Sequence, residues 1–358
     1  MFARRPLFPS PEPALAGAGG FAFQPLDKPY LTAGGAGVLL LLSAVALIAV
    51  AGDPQAGAPT VRVKLGGPAS AAGAMRAALP GGALAPAAMA TPDAVITTFD
   101  GGALPPAPMA GLFQPTPGGP LPVIAADGRT PAQAYARPFN DSGKPKVALV
   151  IGGLGLNAKA TRQAIEELPA DVTLSFVPYA EGLQAWIDLA RSHGHEVLLE
   201  APMEPVDYPQ NDPGPYTLMA ADAPAVTGKR LEWLLSRATG YFGVTNYLGG
   251  RFLQSDAAVT GFVAALSQRG LAFIDDGSAS GRGSGVPRAS ALKIIDSELE
   301  GPAIGGQLQA LEDAARAKGT ALGSGFAYPV TLEQVKAWAG GLSAKGVQLA
   351  PASAVTAR

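Results

Sequence analysis

Lys146-Val-Ala-Leu-Val-Ile-Gly-Gly-Leu-Gly-Leu-Asn157 is the stretch on which the reading of the fold turns. Val147 to Ile151 is a short apolar run, partly β-branched, and glycine stops it. Such a run reads as a buried strand and not as a helix. A glycine turn and a helix starting near Asn157 complete a first strand-turn-helix unit. Downstream the same two kinds of element alternate. The patterning predicts helix from about Ala158 to Leu168, strand Val172 to Val177, helix Leu183 to Ser192 and strand His195 to Leu199. A long loop to Ala225 precedes helix Gly228 to Thr239, strand Phe242 to Asn246, helix Asp256 to Arg269 and strand Ala272 to Ile274. After a loop rich in Gly and Ser come a short strand near Leu292 to Ile295, helix Gly301 to Ala317, strand Ala321 to Gly323, helix Thr331 to Ala339 and strand Val347 to Leu349. Strands separated by helices imply a parallel sheet. Seven or eight such units in about 215 residues suit a (β/α) barrel, which carries its ligand groups at the C-terminal ends of the strands.

Upstream of Lys144 the chain reads as delivery apparatus. Residues 1–30 are rich in Pro, Gly and Ala, with Arg4, Arg5 and Lys28 as cations, and read as a short cytoplasmic segment. Residues 31–52 carry no charge and include the apolar run from Val38 to Ala51. A run of about 20 such residues is long enough to cross a bilayer as a helix. Ala49-Val50-Ala51 has the small-x-small form of a signal-peptide cleavage site, but the segment ahead of it is longer than a usual n-region, which favours an uncleaved anchor. In residues 53–143 proline and glycine make up about a third of the positions without a repeat; that composition is expected of a disordered tether. The folded domain is expected over 144–358. This layout describes a single-pass inner-membrane protein with its C-terminal domain in the periplasm.

Composition narrows the chemistry. The formal net charge is −2 and there is no cysteine. The first makes nucleic acid an improbable partner, and the second removes disulfides, thiolate metal sites and cysteine nucleophiles. The two histidines, His193 and His195, are few for a zinc enzyme. They sit where a helix ends and a strand begins, and suit capping and packing. Gly152-Gly153-Leu-Gly155 lacks the further glycine, lysine and serine of a phosphate loop.

The expected strand ends carry Glu200 and Glu204, then Asn246, Tyr247 and Arg251, then Asp275 and Asp276, then Asp296 and Tyr328. Such a set suits hydrogen bonding to a polyhydroxylated ligand. Glu200 and Glu204 read either as an acid/base pair at one rim or as acids that hold the long loop by its amides. Asp275 and Asp276 are adjacent and would face opposite sides of a strand. Arg251 is expected to pair with one of the acids. Tyr247 and Tyr328 would stack on sugar faces or fill the barrel mouth.

Gly194-His-Glu-Val-Leu-Leu-Glu-Ala-Pro-Met-Glu-Pro205, the Asn246 to Phe252 segment, the Phe273-Ile-Asp275 strand end and Thr331-Leu-Glu-Gln-Val together resemble the divergent polysaccharide deacetylases, a branch of the superfamily with a NodB-like (β/α) barrel. The resemblance covers Lys146 to about Val355. It implies hydrolysis of an N- or O-acetyl group on a sugar, a C–N hydrolase in the first case, with a divalent metal that polarises the carbonyl and a carboxylate that takes the proton of water. It implies paired aspartates after the first strand, where this chain has Gly152 and Gly153. Its Asn-His pair falls on Asn246 and Tyr247, and a serine that follows falls on Gly250. Two further motif histidines fall on Glu200 and Tyr328.

The resemblance therefore leads to a cell-envelope, deacetylase-like protein of carbohydrate processing whose metal site looks degenerate. The alternative is a non-catalytic barrel, a pseudoenzyme that binds a polysaccharide or peptidoglycan-type glycan or an envelope protein. If the protein is active, Glu200, Glu204 and Asp275 are the expected catalytic groups. Asn246, Tyr247, Arg251, Asp276, Asp296 and Tyr328 are the expected ligand-binding groups. No cofactor is expected, and a zinc-like ion enters only if its site is rebuilt from ligands foreign to the family.

Overall fold

A computed structural model describes residues 102–279 and 281–357. The expected cytoplasmic segment, the membrane span and most of the expected tether lie outside the described residues.

Two short strands, β1 (Phe113–Thr116) and β2 (Gly119–Pro122), pair antiparallel, and a one-turn helix α1 (Pro131–Ala134) follows. The first long strand is β3 (Lys146–Leu154). It is followed by α2 (Ala158–Glu167), β4 (Thr173–Phe176), α3 (Leu183–Ser192), β5 (Val197–Met203), α4 (Pro224–Leu235) and β6 (Gly243–Leu248). Then come α5 (Asp256–Gln268), β7 (Ala272–Asp275), β8 (Arg288–Ser290), β9 (Lys293–Ile294), α6 (Gly301–Lys318), β10 (Thr320–Phe326), α7 (Pro329–Gly341) and β11 (Gln348–Ala350). The alternation of strand and helix is the one the patterning predicts, except for β8, which lies in the loop expected between Ile274 and Leu292.

The large sheet runs β8-β7-β6-β5-β4-β3-β10-β9, with β11 on the start of β3, and its pairings are parallel. It is a curled half-barrel. Its end strands β8 and β9 pair with β7 and β10 and not with each other. The chain between them crosses the open side: the Ala291 amide donates to the Asp275 carbonyl and the Leu292 amide to the Leu322 carbonyl, each at 2.7 Å.

Side chains alternate across this sheet. Val147, Leu149, Ile151, Leu174 and Leu199 face outward and pack under the helices in the main core. Ala148, Val150, Leu198, Ile274 and Leu322 face inward and form a second buried cluster. Leu112, Ala132 and Tyr135 complete that inner cluster against Phe242 and Ala272 at the starts of β6 and β7.

The expected tether is therefore corrected over residues 102–143. Its proline and glycine serve turns of an ordered segment that stops the lower end of the half-barrel. The cause is apolar surface at the strand starts, which Leu112 and Tyr135 take out of water. Glu196 fixes the arrangement. It is fully buried, and its carboxylate accepts from the Arg137 amide at 3.0 Å, the Thr173 hydroxyl at 2.8 Å and the Ser353 hydroxyl at 2.5 Å. Both ends of the described chain are tied to this one acid.

Candidate functional site

At the upper end of the sheet, β3 does not stop at its glycines. It pairs with β4 at Ile151 and again at Leu154, three residues on against two on β4. One extra residue is thus inserted at Gly152-Gly153, a bulge of the kind that turns backbone groups out of a ladder. Gly153 has φ +74, a conformation that glycine enters without strain. Its amide turns inward and donates to Glu200 Oε1 at 2.6 Å. The Ser175 hydroxyl donates to the same oxygen at 2.9 Å.

The expectation that β5 ends at Leu199 is corrected here. The strand runs on to Met203, so Glu200 lies inside it and faces the interior beside Ser175 and Thr245. A Cβ at Gly152 would stand 2.8 Å from Glu200 Oε1 and 2.7 Å from Ser175 Oγ. The carboxylate thus occupies space that a side chain on β3 would need. Glycine at 152 and glutamate at 200 are two halves of one packing arrangement.

Glu200 Oε1 is well held, whereas Oε2 is buried and has no hydrogen-bond partner. Burial pushes the carboxyl up to about 7, with the Gly153 amide and the Ser175 hydroxyl opposing that rise. The group therefore changes charge near neutral pH.

Glu200 lines a cleft of about 1090 Å³. Its neighbours on one wall are Tyr247 and Leu248 from the end of β6 and Phe326 and Tyr328 from the end of β10. The Phe326 ring meets Tyr247 edge-on at 6.2 Å and Tyr328 at 6.4 Å, so three aromatic rings follow one another along this wall. The Tyr247 phenol is pushed up by burial and then by the nearby Glu200 carboxylate. The opposite wall is α2 and the turn before it, including the exposed Leu156 and Asn157. Asn157 caps α2 by accepting from the Ala160 amide at 3.0 Å. Tyr179 and Asp212 close the far side.

Of the nine expected site residues, Glu200, Tyr247 and Tyr328 line this cleft, and the others are engaged elsewhere. Glu204 is buried and accepts from the Ala220 amide at 2.7 Å and from Arg251 at 3.3 Å. It holds the long loop, the second of its two expected roles, and Arg251 pairs with an acid as expected. Asp275 is saturated by Arg288 at 2.9 Å, Ser290 at 2.6 Å and the Gly277 amide at 2.9 Å. Asn246 ties Leu248 to Asp276: its amide nitrogen donates to the Leu248 carbonyl, and its oxygen accepts from the Asp276 amide. Asp276 in turn accepts from the Ser278 amide. Asp296 accepts from the Phe326 amide and the Thr331 hydroxyl and positions the strand end that carries the aromatic wall. His195 is buried, with its ring nitrogens 2.8 and 3.1 Å from the Val172 and Ile165 carbonyl oxygens, and His193 caps α3.

The residues that sequence reasoning passed over are Ser175, Phe326 and the α2 wall. Ser175 had a signal, as one of two hydroxyl residues, with Thr173, in the otherwise apolar run from Val172 to Val177. Leu156 had one as well, being an apolar residue between Gly155 and a helix cap.

The donors do not fit the divalent ion that the resemblance implies. Gly152 and Gly153 have no side-chain donor, the remaining positions are Tyr247 and Tyr328, and Glu200 is the one acid beside them. Among the described residues no three of His, Asp and Glu gather at one point.

The likeness to known proteins agrees with the architecture. Residues 149–356 match the family described as divergent polysaccharide deacetylase. A crystal structure of an uncharacterised protein of Agrobacterium tumefaciens is 37% identical, with TM-score 0.63, over 66% of this chain and 99% of that one. An uncharacterised protein of Haemophilus influenzae is 26% identical over 200 residues, 54% of this chain and 70% of its own length. A parallel half-barrel with its cleft at the strand ends, matched over nearly all of its sheet, places this chain in the divergent polysaccharide deacetylase family.

Proposed function

We propose that this protein is a deacetylase-like member of the carbohydrate-processing machinery of the cell envelope that binds glycan without metal-dependent hydrolysis. The observation that carries the reading is the Glu200 carboxylate, held by the β3 bulge in a cleft that three aromatic rings also line. Aromatic rings present apolar faces that cover the C–H faces of a sugar, while a buried acceptor selects among its polar groups. The cleft, at about 1090 Å³, lies at the upper end of the roughly 300–1,000 Å³ of small-ligand pockets. Deacetylation in this family's manner requires an ion at the mouth, and the glycines at 152 and 153 supply no ligand for it. On the sequence alone, we assign the domain to the periplasm, tethered by residues 31–52.

Hydrolysis without metal is the second reading. A carboxyl that ionises near neutral pH has the strength required of a general base. It would still need donors for the oxyanion that forms on the acetyl group, and the cleft wall beside Glu200 offers phenols for that task.

The test uses the full-length protein. N-acetylglucosamine tetramer is titrated by calorimetry, and released acetate is followed with and without added zinc. Binding with no acetate release supports the binding reading. Acetate release that needs zinc overturns it, and zinc-independent release that is lost in Glu200→Gln supports the second reading. No binding and no release removes both.

A further inference from the structure

Among the described residues that line the cleft, Glu200 is the one acid with an oxygen that is buried and has no hydrogen-bond partner. It is 3% exposed, and its contacts are the neutral donors Gly153 and Ser175. The groups beside it are Gly153 on β3, Ser175 on β4, and Thr245 and Tyr247 on β6, and it shares the cleft with Phe326 and Tyr328 at the end of β10. None of these is a cation. Such a carboxylate lacks the counter-charge that buried acids normally have. The rest of the cleft does not provide it. The lining holds Glu166, Glu167, Asp212 and Glu333 besides Glu200, against Lys159 and Arg162. Arg162 already pairs with Glu166 at 3.3 Å on the outer wall. Aromatic rings line the inner wall together with the acid, and ring faces attract a cation.

We infer that the cleft selects a glycan bearing a free amino group, whose ammonium pairs with the Glu200 carboxylate beside the aromatic wall of Tyr247, Phe326 and Tyr328. This inference rests on the glycan reading above and specifies the ligand for it. An ammonium supplies both charge and donors to the carboxylate. An acetamido group supplies one N–H together with a carbonyl oxygen, which the carboxylate repels. The cleft would thus hold sugars from which the acetyl group is already gone, products of a deacetylation carried out elsewhere.

The test compares glucosamine tetramer with N-acetylglucosamine tetramer by calorimetry on the full-length protein at pH 6 to 8, with trilysine as a third ligand. The expected result is at least tenfold tighter binding of the glucosamine tetramer at pH 7. Binding should release protons from Glu200, so the observed heat should vary with the ionisation enthalpy of the buffer. In Glu200→Gln the preference should fall to within about twofold while both sugars still bind. In Tyr328→Ala both sugars should weaken together. Equal or tighter binding of the acetylated tetramer by the unmodified protein overturns the inference and leaves the glycan reading intact. Binding of trilysine with neither sugar overturns both, as does an absence of binding to all three.

Discussion

Replacing Glu200 by Gln should make the protein more stable, and only above about pH 6. The folded-state value of this carboxyl is about 7, against 4.5 for an ordinary glutamate side chain. Between those two values the folded protein binds the extra proton, so stability falls as pH rises through the window and is level above it. A gap of roughly 2.5 units at 1.36 kcal/mol each gives a loss of about 3 kcal/mol by pH 8. Gln keeps the oxygen that accepts from Gly153 and Ser175 and places its amide nitrogen where Oε2 lacked a partner. That orphan nitrogen adds a cost that does not change with pH. Urea denaturation of both proteins at intervals from pH 4.5 to 9, followed by the fluorescence of Trp186, Trp233 and Trp338, gives the difference directly. Burial also pushes Glu196, Asp188 and Asp296 upward, but they titrate in both proteins and cancel. The difference should open from pH 5 to pH 8 by about 3 kcal/mol and then stay constant. Parallel curves would refute the claim that Glu200 is held uncompensated in the folded state.

Three further outcomes follow from the packing. Gly152→Ala should cost about 1–3 kcal/mol, because its Cβ would meet both Ser175 Oγ and Glu200 Oε1 below 3 Å; denaturation should show that most of the cost vanishes in a Glu200→Ala background. A chain cut to residues 144–358 should lose about 3–6 kcal/mol from uncovering the partners of Leu112 and Tyr135 alone, read as a lowered midpoint of thermal unfolding. Glu204→Ala should cost about 1–3 kcal/mol by releasing the Ala220 amide and speed proteolysis between residues 205 and 223, while tetramer affinity at the Glu200 cleft changes by less than threefold.

The β3 bulge shows how far the chain could be read. The run from Val147 to Ile151 and the glycines after it are local signals, and they were enough for a strand, a break and a helix start at Asn157. What glycine does at 152 and 153 was not a local matter. It depends on Glu200, 47 residues on in the chain, and two residues that exchange space across a sheet leave no spacing pattern. The expected ends of β5 and β10 came early for a similar reason. Glu200 and Pro202 interrupt an apolar run, and so does Ser324, yet the parallel ladder with β6 and β3 carries those strands onward. The segment from 102 to 143 has the composition of a tether, and only the apolar starts of β6 and β7 turn it into part of the core.

By itself the sequence determined the alternation of elements, the absence of thiol chemistry and the lack of a side-chain ligand at Gly152 and Gly153. Each of these is written in residue identity and short-range periodicity. The tertiary structure decided which acids are free to act. Glu204, Asp275 and Glu200 look alike along the chain, since each is a carboxylate at or near a strand end. Folding surrounds the first two with donors and cations and leaves one oxygen of the third with none. That difference arises because hydrogen-bond partners come from β-strands and loops far apart in the chain, and their convergence exists only once the sheet has curled.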